Sequence, residues 1–566
     1  MSKNRIYIVL ILILMIVFIS SNNFRIKFDL TKNKLYSLKK ISKEIIDDID
    51  KPLMIKIYLS GDLPSDFSYL KQYVSNFMFE LSKSNDLINY EFIDPDQIMS
   101  SGQDILKYLA SKNLLPTELD IVSTNEQTKK VIFPGAVVFY EGKESSFNFL
   151  QSNVFLSNEQ NINNSIQNFE FEFFKCLDNL MKDKKQKIAF LTGNGQLSKN
   201  NLNDICYSVM NDYDNLNHFY DIDFVDIKEF EIVNEEINIQ KKINDLNKYK
   251  AILIAKPTIK FNILDKFIID QYLMNGGNLM WLVDGTNGSI DSLNKTDNFI
   301  VSSNDLNLND LFFKYGIRIV NDNIQDLRSS MIPIVTGYNG NIPTQKLFNW
   351  PFHVIFKSDT KHPISANLDA IKGNFTSSID TLMRNNIKKS VLINSSKNSR
   401  SVLSPYNLSL RIIENPPNEE SFLSSNIITG VLLEGRFESL FKNRILPKGQ
   451  TSITEISNKS KVIVFSDGDF IKNEFNKRVY PLGYDKYSNY LYTGNKKLIL
   501  NSVQYLCDDN KLISLRNRTL PLNLIRDKIS KTDINILGLI NLILPIILFY
   551  IISLLFNQYY KFNYEK

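Results

Sequence analysis

Three short apolar runs, each ending in glycine, proline or aspartate, constrain this chain more than any other feature. They read "KIAFLTGNGQ" from Lys187, "AILIAKP" from Ala251 and "NLMWLVDG" from Asn278. The pattern between them is helical at Asn201–Leu216 and again at Ile263–Met274. Strands alternating with helices predict a parallel sheet covered on both faces. Ligands of such sheets bind beyond the carboxyl ends of the strands. Here those ends are Gly193–Gln196, Pro257 and Asp284–Gly288. The stretch "DQYLMNGGNLMWLVDGTNG", Asp270 to Gly288, shows the motif most fully: a helix broken at Gly276–Gly277, a strand, then Asp284–Gly285.

Upstream, "LMIKIYLS" reads as a strand, Asp66–Ser82 as a helix and "INYEFIDP" as a second strand. "VIFPGAVVFYEGKESSFNFL" follows as a hairpin turning at Glu141–Gly142–Lys143. Before them, Ser37 is placed to cap a helix lined by Ile41, Ile45 and Ile49. This β-α-β then β-β order predicts a thioredoxin-like module. The loop that carries the redox cysteines in such folds is "GDLPSDF" here. Thiol chemistry is therefore excluded.

The expected organisation is α/β throughout. A thioredoxin-like module (24–150) is joined by a polar linker (151–186) to a class I glutamine-amidotransferase-like parallel-sheet domain (187–510). That domain carries an insertion around 305–450 and ends in a helix at Lys496–Cys507; a stalk (511–533) follows.

Sites of chemistry are sparse. Neither GxGxxG nor GxxxxGK[ST] occurs, so a nucleotide would lack its phosphate cradle. The cysteines Cys176, Cys206 and Cys507 stand far apart with no CxxC, which argues against a zinc site or a disulfide framework. A hydrolase would need His218, His353 or His362 to approach Cys206 or a serine in the fold. Asp467 and Asp469, in "FSDGDFIKN", are two carboxylates without a third metal ligand, and a strand-ending turn explains them better. Trp281, Trp350 and Phe352 could line a solute cleft, and "NWPFHVIF" is the aromatic stretch to watch; it reads more readily as a strand packed into the body. No catalytic, cofactor-binding or metal-ligating residue is assigned. With 66 basic and 61 acidic residues the net charge is +5, too balanced for a nucleic-acid binder.

Both ends are apolar. Lys3 and Arg5 precede the uncharged run Ile6–Ile19, short for a span and close to a signal-peptide core. Phe18 and Ile19 stand where a peptidase needs small side chains, which favours an uncleaved anchor (1–23). Ile534–Phe556 is uncharged over 23 residues, enough to span, with a short tail at 557–566. Asn535, Gly538, Asn541, Pro545 and Ser553 fall on one stripe of that helix, a pattern suited to packing against a partner helix. Lys3, Arg5, Lys561 and Lys566 favour cytoplasmic termini, whereas Arg526, Lys528 and Lys531 oppose this for the second span. The expectation is a two-pass inner-membrane protein with a periplasmic body.

A run of motifs in order, "DLTKNKLYSL", "FIDP", "IFPGAVVFY", "DQYLMNGGNLMWLVDG", "DLFFKYGIRIVNDNIQDL", "IPIVTG", "NWPF", "HPIS" and "SDGDF", resembles the gliding-motility ABC-transporter auxiliary protein GldG family of Bacteroidetes. The resemblance spans nearly the whole chain, terminal segments included. It implies an auxiliary or substrate-binding component beside an ABC permease and a cytoplasmic ABC ATPase. It also implies a body likened to the non-catalytic amidotransferase-like fold of intraflagellar-transport proteins. Unlike lobes favour a coupling role over solute capture.

Overall fold

The run "LMIKI" becomes the central strand of a small sheet because alternate residues, Leu53, Ile55 and Ile57, are completely buried. The structure is a computed structural model. It describes residues 37–517 apart from 62, 96–104, 115, 123–126, 151–156, 183, 211–213, 234–235, 295, 359–360, 385, 425, 449 and 509–511. Beyond 517 it describes 543, 544, 547, 549–555 and 558.

The first module opens with helix α1 (Lys40–Asp47), followed by β1 (Leu53–Ile57), α2 (Ser65–Ser84) and β2 (Ile88–Phe92). A helix at Ile105–Ser111 and a hairpin of Thr117–Val122 with Gln127–Ile132 lead to β3 (Gly135–Tyr140) and β4 (Lys143–Asn148). The sheet order is β2-β1-β3-β4. β1 runs parallel to β2, with Leu53 opposite Ile88, and antiparallel to β3, with Leu53 opposite Tyr140. Glu141 and Gly142, both at positive φ (50° and 76°), close the β3–β4 hairpin. Two left-handed residues give the turn whose twist matches the strands it joins.

Residues 151–186 were expected to be a polar linker, yet Asn158–Met181 form one helix of 24 residues, α3. Its start is set by a reciprocal capping box between Ser157 and Gln160. Its buried face carries Phe169, Phe173, Leu177 and Leu180, and Phe169 meets Tyr73, Phe77, Phe147 and Phe149 through their edges or faces. Glu170, also buried, accepts the Lys39 N–H (3.0 Å) and the Ser42 hydroxyl (2.6 Å). The Lys39 ammonium in turn donates to the carbonyls of Ser514 (3.3 Å) and Leu515 (3.0 Å). The first and last described turns of the body are thus clasped together.

The second module is built on β5 (Gln186–Thr192), β6 (Tyr220–Asp226), helix α4 (Ile239–Leu246), β7 (Ala251–Ala255), helix α5 (Ile263–Met274) and β8 (Asn278–Leu282). A long hairpin follows, β9 (Ser329–Asn339) with β10 (Ile342–Phe356). The sheet is completed by β11 (Ile387–Asn394), β12 (Ile428–Glu438) and β13 (Ile456–Phe465), and helix α6 (Thr493–Cys507) packs on it. Its order is β11-β12-β13-β8-β7-β5-β6. β7 and β8 pair in parallel from Ala251↔Asn278 to Ala255↔Leu282. Ile252, Ile254 and Trp281 join the core beneath α5, while Leu253, Met280 and Leu282 join the core beneath α6.

The expected fold class needs two corrections. The large sheet is mixed: β12 runs antiparallel to β13, and β11 antiparallel to β12. Adjacent antiparallel strands need no helical crossover, so these two add to the edge from inside what reads as an insertion. The flanking transmembrane helices are the second correction. Among the described residues no helix is long and apolar enough to cross a membrane. A span needs about 20 consecutive apolar helical residues; the first segment (1–23) lies outside the described residues, and the longest described run of the second is 549–555. The two-pass placement with a periplasmic body rested on those helices and falls with them.

Candidate functional site at the carboxyl end of the sheet

β5 feeds β6 on one side, and the chain then returns to β7 on the other side of β5. The carboxyl ends of β5 and β7 therefore form the switch point, the crevice in which doubly wound sheets hold ligands. In this molecule the crevice is zipped shut. Asn194, fully buried, accepts the backbone N–H groups of Thr258 and Ile259 at its carbonyl (both 3.0 Å). Its side-chain amide donates to the Lys260 carbonyl and to Asp265 (both 3.2 Å). The Thr258 hydroxyl donates to the Gly195 carbonyl (3.0 Å). Gly195 has φ +69°, and a Cβ there would lie 2.2 Å from Thr258 Oγ1. Only glycine fits so close an approach in that conformation.

Next to the crevice the ends of β7, β8 and β13 supply an ion cluster. Lys256, the residue after β7, sits at φ +50°, a strained conformation for a side chain with Cβ. Gly468 lies against it, since a Cβ on Gly468 would come within 2.5 Å of Lys256 Cβ and Cγ. The Lys256 ammonium donates to Asp469 (2.6 Å) and faces Asp284 at 3.3 Å. Asp284 also accepts the Gly468 N–H (2.5 Å). Asp467 accepts from the Thr376 hydroxyl (2.5 Å) and from the N–H groups of Asn374 and Asp469 (both 2.8 Å).

The electrostatics follow from this geometry. Burial opposes the charge on Lys256, but Asp284 and Asp469 outweigh it and hold the ammonium above the usual lysine range. Nucleophilic lysines require the opposite shift, so Lys256 acts as an internal counter-ion. Burial and the charge of Asp469 push Asp284 up despite Lys256, and push Asp467 well up. Asp469 lies below the usual carboxylate range because Lys256 and Lys472 overcome its burial. Among the described residues no group of three or more His, Cys, Asp or Glu side chains is placed to hold a metal ion.

The structure thus joins the opening motif to the Asp467–Asp469 turn through a lysine that sequence reasoning passed over. The available signal was a lone cation directly after the wholly apolar "AILIA". Other expected residues disperse. Cys206 is buried and its thiol is pushed up to about 12 by burial. His353 is buried and neutral, held well below its ordinary range by burial and by Lys372. His362 leans on Tyr505, with ring centroids 5.1 Å apart. His218 does approach a serine: Ser145 Oγ lies 3.4 Å and Asn179 Nδ2 3.2 Å from its Nε2. Burial and Lys175 lower this imidazole to about 4, and the neighbouring Cys176 thiol is raised by burial to about 12. Trp281, Trp350 and Phe352 are core residues at 0–2% exposure and line no open cleft. Of the terminal stripe, Asn535, Gly538, Asn541 and Pro545 lie outside the described residues. Ser553 is helical and half-buried beside the exposed Ile552 and Leu554.

Comparison with known proteins decides the family. The model of the ABC-type uncharacterized transport system matches residues 185–502, more than half of the chain. The chain belongs to that family. Its members are ABC transporter auxiliary components, which supports a transport-associated role. Residues 32–139 match a domain of unknown function. An uncharacterized protein of Borreliella burgdorferi is 24% identical over 466 residues, covering 80% of this chain and 81% of its own length. The solved mmIFT52 N-terminal domain aligns over 57% of this chain and 98% of its own length, at 14% identity and a TM-score of 0.30. That likeness is too loose to reason from.

Proposed function

We propose that this protein is a non-catalytic auxiliary component of an ABC transport system, working beside an ABC permease and, through it, a cytoplasmic ABC ATPase. The observation that carries this reading is the filled carboxyl end of the sheet. Asn194 and Thr258 seal the switch crevice, and Lys256 satisfies the acids beside it. A sheet that packs the ligand-binding end of its parallel strands with its own side chains serves better as a coupling piece than as a catalyst. The resemblance of the ordered motifs to the gliding-motility family supports a tie to gliding or to export of surface components. The stripe Asn535, Gly538, Asn541, Pro545 and Ser553 is the proposed seat of a partner helix.

Affinity capture of the tagged full chain from detergent-solubilised cells, with mass spectrometry, tests this. A multi-span permease and an ABC ATPase are expected, and their recovery should fall in the Gly538→Leu, Asn541→Leu double variant. Capture of the protein alone overturns the reading.

A further inference from the structure

The hairpin of β9 and β10 leaves the body as a two-stranded ribbon. Residues 338–347 are exposed without a break, and a Cβ on Gly337 or Gly340 would meet no atom within 4 Å. Such a ribbon is marginally stable alone in water. Residues opposite one another share a face, and the register sets Met331 opposite Asn349, Pro333 opposite Leu347 and Val335 opposite Gln345. The irregularity between Val335 and Gly337 inserts one residue, which returns Tyr338 and its partner Pro343 to that same face. On it Met331, Val335, Leu347 and Tyr338 are 44%, 45%, 49% and 73% exposed. The reverse face carries Ile332, buried in a core with Trp350 and Phe352. It also carries Lys346, the one charged side chain between positions 331 and 349.

We propose that this outward face, with Met331, Pro333, Val335, Tyr338, Pro343 and Leu347, seats a second copy of the chain, the two hairpins packing face to face about a two-fold axis near Gln345. Three features select a second copy. The face is uncharged, so two of them meet without like-charge repulsion. Gln345 lies within the apolar row, and its amide holds both a donor and an acceptor, so it can pair with its own counterpart across the axis. Two such faces would together withdraw on the order of 1,000 Å² from water, the least that a specific interface needs. Joining edge to edge is disfavoured. Proline fits a ladder where its missing N–H points outward, so Pro333 and Pro343 each leave an outer edge short of a donor. Insertion into lipid is disfavoured as well, because the open edges would carry bare N–H and C=O groups into hydrocarbon. The contact is therefore sheet on sheet. This inference does not rest on the transporter assignment and survives if no permease is captured.

Sedimentation of the purified full chain over a concentration series, joined to cysteine cross-linking, tests it. A dimer is expected, its dissociation constant raised about tenfold or more in the Val335→Glu, Leu347→Glu double variant, which sets like charges against each other across the axis. That variant should melt with the parent when dilute, because both positions are exposed. Under mild oxidation Gln345→Cys should form a disulfide-linked dimer, whereas Lys346→Cys, one residue along on the reverse face, should not. Cys176, Cys206 and Cys507 are buried and leave the background silent. A chain that stays monomeric throughout the series leaves the face to a different protein and overturns the proposal. A dimer unaffected by the glutamates, or one cross-linked through Lys346→Cys as readily as through Gln345→Cys, overturns it by placing the contact elsewhere. Flotation with phospholipid vesicles in place of dimerisation would assign the face to lipid and overturn it too.

Discussion

Lys256 offers the sharpest test of the ion cluster. Lys256→Met keeps most of the aliphatic stem and deletes the ammonium that lies 2.6 Å from Asp469 and 3.3 Å from Asp284. Breaking a buried ion pair by removing one partner costs about 3–5 kcal/mol, because the remaining charge is stranded. The three side chains retain 23%, 16% and 14% of their surface, so some solvent relief persists. The Lys472 ammonium also lies 3.8 Å from Asp469. The lower end, about 3 kcal/mol, is therefore expected. Trp281 sits in β8, three residues before Asp284, and reports this region by fluorescence. In urea at pH 7 the midpoint should fall by roughly 0.5–1 M, the slope of so large a chain being about 3 kcal/mol per molar or more. Adding Asp284→Asn and Asp469→Asn should restore much of the loss, because the stranded charges disappear with the cation. A midpoint indistinguishable from the parent's, or a triple variant weaker than Lys256→Met, would refute the counter-ion argument.

Two further outcomes follow from the packing. Asp270 is buried and its carboxyl is raised from 3.8 to about 6, chiefly by burial. A raised acid stabilises the fold below its unfolded value and loses that contribution as pH climbs through the folded one. The protein should thus lose roughly 2 kcal/mol from this group between pH 4 and 7. Asp270→Asn should flatten that part of the stability profile in urea titrations, and an unchanged slope would count against it. Ser157→Ala removes the capping oxygen of α3 and should cost about 1 kcal/mol by thermal melting; no measurable change would mean the helix start is set by packing alone.

What the sequence disclosed depended on how local the cause was. α5 was legible to the residue because Asn262 and Asp265 cap it reciprocally and Asn275–Gly276–Gly277 end it. β7 and β8 were legible because five buried positions in a row leave a short strand little alternative. α3 was missed because the asparagines of its first half look like a linker, while Phe169 and Phe173 recur at helical spacing only further on. The antiparallel edge was hidden for another reason: strand direction depends on which distant strand is nearest, and no local pattern records it. The same holds for the site. Asp284 and Asp469 could be seen as strand-end turns, but their common partner lies on a third strand. The left-handed backbone of Lys256 that aims it there has no signature in "AKP".

The clasp among Lys39, Glu170 and the 514–515 carbonyls sets how the body would bear load. Tension between residues 37 and 517 would act where the chain enters and leaves, at the side of α3, before any strand is pulled from either sheet. A tug transmitted through both ends would first load these polar contacts together with the buried Leu512, Ile513, Leu515 and Arg516 beside them, before the strand ladders. In mechanical terms the fold has a fuse at its neck and a stiff interior behind it.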